Sequence, residues 1–401
     1  MSYSNTTTPP MMSQISEGTG EREQSILSMG DLHIFQIVNH VVLSGAVCLF
    51  GIAANVINMI VFFKQGFQDT VNLSLFAISL SDLFSLVTLE WVNINLNPFM
   101  DRADVPFEPV EVQYFTGGWP HACFARITIW LTVGVTAERL CCVVFPLKVK
   151  QMISPARMKV AICVIYVAML VSLIPVYCSM YFGEKFVPTR NQTRVGLIDR
   201  DQKQFFENLN FELYAIIGIS HFLILIVLTC LLITRLKQRS AWRRTFMNET
   251  QQEKALKTRE RRTMKLVSLV AIMVIVCFTP TITLYFTMFF VPGFGLTGTL
   301  STIFNAMWSI SFLAEAINSS ANIFIFYRMS SRYRQKFHEV SSMYQMCKHR
   351  KIVSARSSTA RHSETHRPGE QSSETCHSSA ATRGIGSGAP DARRSLKSCF
   401  S

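Results

Sequence analysis

Charge is scarce in this chain of 401 residues: Asp, Glu, Lys and Arg together make up 16%, against about 25% in an average soluble domain. Hydrophobic residues make up 49% and the mean hydropathy is +0.25. A soluble fold is therefore disfavoured, and a membrane protein is indicated. The net charge of +13 does not indicate nucleic-acid binding, because the basic residues cluster in short connections and in the C-terminal tail rather than on one compact face.

The chain also lacks a disulfide pattern and a signal peptide. It has eleven cysteines, but five of them fall inside apolar runs, which is typical of small buried hydrophobic residues: Cys48, Cys123, Cys163, Cys230 and Cys277. Residues 1–33 are polar and carry no apolar core for signal cleavage, so we expect the first span to act as an uncleaved anchor.

What the chain has instead is seven apolar segments, each near or above the ~20 residues that a membrane-spanning helix needs. They cover approximately residues 35–63, 71–97, 112–145, 157–182, 211–236, 263–291 and 300–327. The sequence predicts an all-α membrane protein, a seven-transmembrane helix bundle followed by a short cytoplasmic amphipathic helix.

Lys and Arg fix the expected orientation. The connections after spans three and five are rich in both, whereas the connection before span three is acidic. By the positive-inside rule we expect the N-terminus to be extracellular and the tail cytoplasmic, in a multi-pass protein of the plasma membrane. The glycosylation sequons at Asn5 and Asn191 then both lie outside.

The chain after span seven consists of two segments, which meet at about residue 340. Met329, Tyr333, Phe337 and Val340 recur at helical spacing among basic residues, which predicts an amphipathic helix on the inner membrane surface. Cys347 is a candidate palmitoylation site beside it, and a free cytosolic cysteine is the alternative. We expect an extracellular polar tail over 1–33, a seven-transmembrane domain with the amphipathic helix over 34–340 and a disordered cytoplasmic tail over 341–401.

Five short motifs stand in matching spans. They are Gly51-Ile-Ala-Ala-Asn55, Asn72-Leu-Ser-Leu-Phe-Ala-Ile-Ser-Leu-Ser-Asp82, Glu138-Arg139, Cys277-Phe278-Thr279-Pro280 and Asn318-Ser-Ser-Ala-Asn322-Ile-Phe-Ile-Phe326-Tyr327. Together they resemble the rhodopsin-like (class A) family of G-protein-coupled receptors over roughly residues 34–340. The resemblance implies an extracellular ligand and coupling to a heterotrimeric G protein, with arrestin and a receptor kinase acting on the tail.

The chain departs from that family in several places. The loop from Gly183 to Leu209 has no cysteine for the family's disulfide, and span five lacks the family's proline. Phe278, Ile323 and Phe326 replace a tryptophan, a proline and a tyrosine of the family's motifs. The pattern looks like the divergent receptors of molluscs and related invertebrates, described as chemosensory or orphan neuropeptide receptors.

Three groups of residues are candidates for function. A switch for G-protein coupling comprises Glu138, Arg139, Glu260, Phe278, Pro280, Asn322 and Phe326. Within it we expect Pro280 to act as a hinge in span six, and Arg139 to pair with Glu260 in the resting state. The rival interpretation pairs Arg139 with Glu138 only.

The second group is a polar core. Asp82 lies alone at mid-depth and needs partners, which Asn55, Thr128, Asn318, Ser319 and Asn322 can supply. The resemblance implies a sodium ion near Asp82, and a purely structural hydrogen-bonded cluster is the alternative. No other cofactor and no metal is expected.

The third group is a polar cavity near the outer side, where Glu90, His121, Arg126 and Glu315 suggest the ligand site. The acids favour a cationic ligand, such as an amidated Arg-Phe peptide. The alternative is that Arg126 pairs with one acid and only stabilises the bundle.

Other classes of protein fit less well. An opsin needs a lysine in span seven, where none lies between Leu300 and Tyr327. No internal repeat indicates a transporter, and no metal or nucleophile set indicates an enzyme. A seven-span ligand-gated channel or transporter is the alternative to the receptor.

Overall fold

The computed structural model describes residues 34–35, 37–145, 153–188, 190–246, 251–295 and 299–342. The expectations for Asn5, for Cys347 and for the tails over 1–33 and 343–401 lie outside these residues. The seven predicted spans are confirmed, since seven helices are long and apolar enough to cross a membrane.

The seven helices follow one another along the chain. They are α1 (Gly45–Gln65, preceded by π-helical turns over Ile37–Ser44), α2 (Thr70–Asn95), α3 (Trp119–Val144), α4 (Pro155–Val171), α5 (Lys203–Phe246), α6 (Gln251–Phe290) and α7 (Ser301–Met329). Short helices cover Pro98–Arg102, Pro109–Gln113 and Ile174–Ser179, a π-helical turn covers Tyr114–Gly118, and helix α8 covers 331–342.

Local sequence signals set several helix ends. Asp69 caps α2, because its Oδ1 accepts a hydrogen bond of 3.1 Å from the backbone N–H of Val71. Ser154 caps α4 in the same way through Arg157, and Pro155 occupies the first turn, where no backbone donor is required. Pro280 lies inside α6, which is helical on both sides of it.

Close packing fixes α1 against its neighbours. A Cβ atom on Gly51 would lie 2.0 Å from Ser320 Oγ in α7 and 2.6 Å from Leu86 Cδ1 in α2. Only a residue without a side chain lets these helices approach so closely. The glycine of the span-one motif therefore has a packing role.

Helix α8 packs on the end of the bundle that carries Arg139, called here the Arg139 end. Tyr333 is fully buried against Phe62 and Phe326, with ring centroids 5.5 and 5.9 Å away. Its hydroxyl donates to Asn58 Oδ1 at 2.6 Å, and burial raises the pKa of Tyr333, so it remains a donor at neutral pH. The predicted amphipathic helix is present and its apolar face packs on α1 and α7.

A two-stranded hairpin covers the opposite end, called here the hairpin end. Strands β1 (Met180–Val187) and β2 (Gln192–Asp199) pair antiparallel, with Met180 opposite Asp199 and Val187 opposite Gln192. This hairpin was not predicted from the sequence, and the predicted span four extended to residue 182. The fourth span instead ends at Ser179, where the strand begins.

Polar contacts attach this hairpin to the segment before α3. Glu111 Oε2 accepts a 2.7 Å hydrogen bond from the backbone N–H of Leu197, and Glu111 Oε1 pairs with Lys185. Val195 exchanges backbone hydrogen bonds of 2.9 Å with Pro106 and Glu108. These contacts join the same two regions that the disulfide of the rhodopsin-like receptors joins, while every cysteine in the described residues is free.

Arg194 adds a buried cation to this attachment. The residue is 3% exposed, and its two Nη atoms lie 3.4 Å from Asp104 Oδ1 and 3.7 Å from Glu108 Oε1. The acidic connection that indicated the outer side in the sequence thus supplies the counter-charges of the hairpin.

We predict that Glu111→Gln loosens the hairpin, because a neutral amide loses both the charge-assisted bond to Leu197 and the ion pair with Lys185. Amide hydrogen exchange at Leu197 should accelerate about tenfold, the equivalent of ~1.4 kcal/mol. Glu184→Gln is the matched control, since Glu184 is an exposed acid of the same hairpin. Equal exchange rates in both variants would contradict this role of Glu111.

Candidate functional site

The centre of the bundle is a carboxylate shared by three helices. Asp82 of α2 is fully buried, and its Oδ1 accepts hydrogen bonds from Thr128 Oγ1 of α3 at 2.8 Å and Ser319 Oγ of α7 at 3.0 Å. Its Oδ2 accepts from Asn322 Nδ2 at 2.8 Å. Three helices are thereby joined at one side chain.

The two other expected partners of Asp82 lie beside this cluster and not on it. Asn55 donates to the backbone carbonyls of Gly51 and Ser319, at 3.0 and 2.9 Å. Asn318 is 1% exposed and its amide atoms have no hydrogen-bond partner among the described residues. The reason is helix rotation. Ser319 and Asn322 both face Asp82, whereas Asn318 lies ~100° around the helix from Ser319.

One turn nearer the hairpin end, His121 and Glu315 meet. His121 Nε2 lies 3.2 Å from Glu315 Oε2, a contact that is close but not aligned as a hydrogen bond. Nδ1 of the same ring is 3.0 Å from both the hydroxyl and the carbonyl oxygen of Ser85. Thr281 donates to the other carboxylate oxygen at 2.6 Å.

Arg126 lies in a different place, among aromatic rings. It is 6% exposed, and its Cζ lies 4.2 Å from the ring centroid of Tyr214 and 5.6 Å from that of Tyr285. Nη1 donates to the carbonyl of Ala122 at 2.8 Å and Nη2 donates to the hydroxyl of Tyr285. Cations are attracted to the faces of such rings.

Glu90 points to yet another side of α2. Its carboxylate is half-buried beside Gly45 of α1, where a Cβ would lie 3.8 Å from Glu90 Oε1. Next to it, Asn93 joins His40 and Ser44 at 3.1 and 2.9 Å. The four residues that the sequence placed in one cavity are therefore in three groups, and only His121 and Glu315 are in contact. Sequence position gives depth along a helix, but small differences in rotation decide which neighbour a side chain faces.

At the Arg139 end, Glu138 is the partner of Arg139. Glu138 is 3% exposed and its Oε1 accepts from both Arg139 and the hydroxyl of Thr70 in α2. The expected pair between Arg139 and Glu260 is not found among the described residues, and Glu260 is exposed. Arg139 pairs with Glu138 because Glu138 is adjacent in sequence, buried and already oriented by Thr70.

The aromatic residues of the expected switch are all buried. Phe278 packs between α3 and α5 in a cluster with Ile129 and Phe222. Phe326 is fully buried, 5.1 Å between ring centroids from Phe62. Tyr327 does not share these contacts, and its hydroxyl lies 3.2 Å from His338 Nε2.

Two structural features were missed in the sequence: the aromatic side chains of Tyr214 and Tyr285 around Arg126, and the hairpin. Tyr285 and Trp308 lie 6.1 Å apart between ring centroids, in different helices. The available signal was the mid-span arginine itself, since a buried cation needs acceptors or aromatic faces around it.

The fold and its polar centre define a mostly helical seven-span membrane protein with charged residues buried at three depths. A family model described as "Serpentine type 7TM GPCR chemoreceptor Srw" matches residues 42–343, about three quarters of the 401 residues. The chain belongs to this family. No curated protein matches it.

Membership confirms a multi-pass seven-span protein of a chemoreceptor family, which is a family of receptors rather than of enzymes.

Proposed function

We propose that the chain is a plasma-membrane chemoreceptor that binds an extracellular ligand near the hairpin end and activates a heterotrimeric G protein at the Arg139 end. The ligand is a small chemosensory cue or a neuropeptide. The observation that supports this most strongly is a series of buried polar contacts that leads from Glu315 through Asp82 to Tyr333 of α8 at the Arg139 end.

The half of this series nearer the hairpin end begins at Glu315. Glu315 contacts His121, and His121 contacts Ser85 of α2. Ser85 lies three residues after Asp82, so both are on one face of α2. A ligand that moves Glu315 therefore acts on the turn of α2 that holds the central carboxylate.

The other half leads to the Arg139 end. Asp82 accepts from Ser319, whose backbone carbonyl accepts from Asn55. Asn58 donates to Asn55 Oδ1 at 3.3 Å and accepts from the hydroxyl of Tyr333 in α8. Polar groups inside a membrane are costly and usually functional, which supports a role in transmission between the ends.

Arg139 is the residue we assign to G-protein coupling. Its guanidinium is a rigid set of donors suited to carboxylate and carbonyl groups of a partner. In the structure one of these donor groups, Nη2, bonds to Glu138 and Thr70. Activation then requires Arg139 to leave Glu138, with movement of α6 about Pro280, and Phe278, Asn322 and Phe326 repacking as it moves. Arrestin and a receptor kinase would act on the same side through the tail.

We predict that Glu138→Gln raises ligand-free signalling. The neutral side chain keeps its acceptor for Thr70 but loses the charge that holds Arg139, and a bias of ~1 kcal/mol changes a two-state population about fivefold. Basal calcium and cyclic-AMP responses at equal surface expression are the measurement.

Glu260→Gln is the matched control for this experiment, because Glu260 is an exposed acid on α6. It should leave basal signalling unchanged. The reverse result, a rise with Glu260→Gln and none with Glu138→Gln, would restore Glu260 as the resting partner of Arg139.

The orientation can be tested at Asn191, which lies exposed at the turn between the strands, with φ +51°. We predict a glycan there. Thr193→Ala removes the sequon without changing the strained turn residue, and should abolish one glycosidase-sensitive shift in gel mobility. Thr193→Ser keeps the sequon and the shift. A receptor with an unchanged pattern in Thr193→Ala would argue for the opposite orientation, and with it for a channel rather than a G-protein-coupled receptor.

The residues around Asp82 fit a sodium ion. Hard cations bind oxygen ligands. Asn322, whose Nδ2 donates to Asp82, has a buried Oδ1 acceptor without a partner in the described residues. With Thr128 and Ser319 these groups would hold the ion, which would supply a counter-charge to Asp82 and stabilise the resting arrangement of α2, α3 and α7.

We predict that sodium chloride raises the melting temperature of the purified receptor relative to choline chloride at equal ionic strength, and that Asp82→Asn removes this effect. Glu315→Gln is the control, since it neutralises another buried acid outside the cluster. A sodium effect that persists in Asp82→Asn, or its absence in the wild type, would leave the cluster purely structural.

A further inference from the structure

Arg126 is a buried cation with unused donors. The residue lies near the middle of the third span, Pro109–Val144, and 15 positions after Glu111, so it is ~22 Å along the span from the attachment of the hairpin. An arginine carries five N–H groups, and the described residues accept from two of its nitrogens, through Ala122 and Tyr285. Its Nε is buried and has no partner among them.

Its positive charge is also unbalanced. Among the described residues no carboxylate lies within 4 Å of Arg126 in an ion pair: Glu315 contacts His121, and Glu90 lies on the α1 side of α2. The alternative raised from the sequence, in which one of these two acids pairs with Arg126, is not found among the described residues. A buried charge without a counter-ion is costly, and arginine cannot release its proton to avoid that cost.

The contact between His121 and Glu315 directs this carboxylate to other side chains. His121 Nε2 lies 3.2 Å from Glu315 Oε2, and Thr281 donates to Glu315 Oε1 at 2.6 Å. Both oxygens of Glu315 are therefore engaged away from the guanidinium of Arg126.

The surroundings of Arg126 combine aromatic faces with a few polar groups. Tyr214 covers one face of the guanidinium, and Tyr285 presents its hydroxyl at the edge. Trp308 packs edge-on against Tyr285, at 6.1 Å between ring centroids, and contacts Phe312 at 5.3 Å. Aromatic walls with a few polar groups are typical of small-molecule sites.

We propose that the ligand of this receptor carries a carboxylate, which binds the free donor edge of Arg126 between Tyr214 and Tyr285. This proposal rests on the proposed function, since it names the chemistry of the ligand at that site. It also reverses the cationic ligand that the acids in the sequence favoured. The planar guanidinium fork matches a carboxylate with two parallel hydrogen bonds.

The test is thermal stability of the purified full-length receptor with a panel of anions. The probes are acetate, butyrate, succinate, glutamate and indole-3-acetate, each compared with its primary amide at equal ionic strength. Phosphate and sulfate distinguish a carboxylate site from a general anion site, and arginine amide serves as the cationic probe. At least one carboxylate should raise the melting temperature by about 2 °C or more when its amide does not, because a ligand stabilises the state it binds.

Two variants assign the effect to Arg126. Arg126→Met should abolish the shift and leave the melting temperature of the ligand-free receptor unchanged or higher, because an unbalanced charge is removed. Arg126→Lys should keep part of the shift. Arg200→Met is the matched control: Arg200 is an exposed arginine at the hairpin end, 5.6 Å above the ring centroid of Tyr181, and its loss should change neither quantity.

Three results would overturn the proposal. The first is a rise in melting temperature only with the amides, with arginine amide or with phosphate and sulfate. The second is an equal rise with the carboxylic acids in Arg126→Met, and the third is no rise with any carboxylate. These outcomes are independent of G-protein coupling, since no G protein is present in the measurement. A receptor that binds acids through Arg126 but activates no G protein would instead contradict the proposed function alone.

Discussion

The hydrogen bonds to Asp82 are the interaction on which the rest of the structure depends. A carboxylate at this depth is tolerated only if its oxygens are satisfied, and donors from α3 and α7 satisfy both. This requirement fixes the rotation of three helices relative to one another. The close contact of Gly51 with Ser320 then holds α1 against the same helices, so that Asn55 reaches the carbonyl of Ser319.

The same requirement for partners applies to the charged residues that are buried at other depths of the bundle. Arg194 has two acids near the hairpin, His121 has Glu315, and Arg139 has Glu138. Arg126 is the exception, because in the described residues aromatic faces and one hydroxyl surround it where the others have carboxylates. We propose that the ligand supplies the carboxylate that these residues do not, which would link the charge pattern of the fold to the chemistry of the ligand.

Much of the fold could be predicted from the sequence, because the lengths of apolar runs and the distribution of Lys and Arg are sufficient to find spans. Asp82 was also identifiable, since an isolated acid in a span demands partners. The partners themselves were only partly predictable: Asn318 and Asn322 differ by four residues, yet Ser319 rather than Asn318 contacts Asp82. The hairpin and the division of Glu90, His121 and Arg126 among different neighbours depend on contacts between distant segments, which helical periodicity does not specify.

The central claim is that a buried polar series controls whether Arg139 is available to a G protein. It is tested most directly by nucleotide exchange on purified heterotrimeric G proteins with the full-length receptor in lipid nanodiscs. The account predicts that at least one class of heterotrimer exchanges nucleotide faster with Glu138→Gln than with the wild type, and that adding Arg139→Ala to that variant returns exchange to the receptor-free rate. Exchange that no class of heterotrimer accelerates, or that persists without Arg139, would contradict the account.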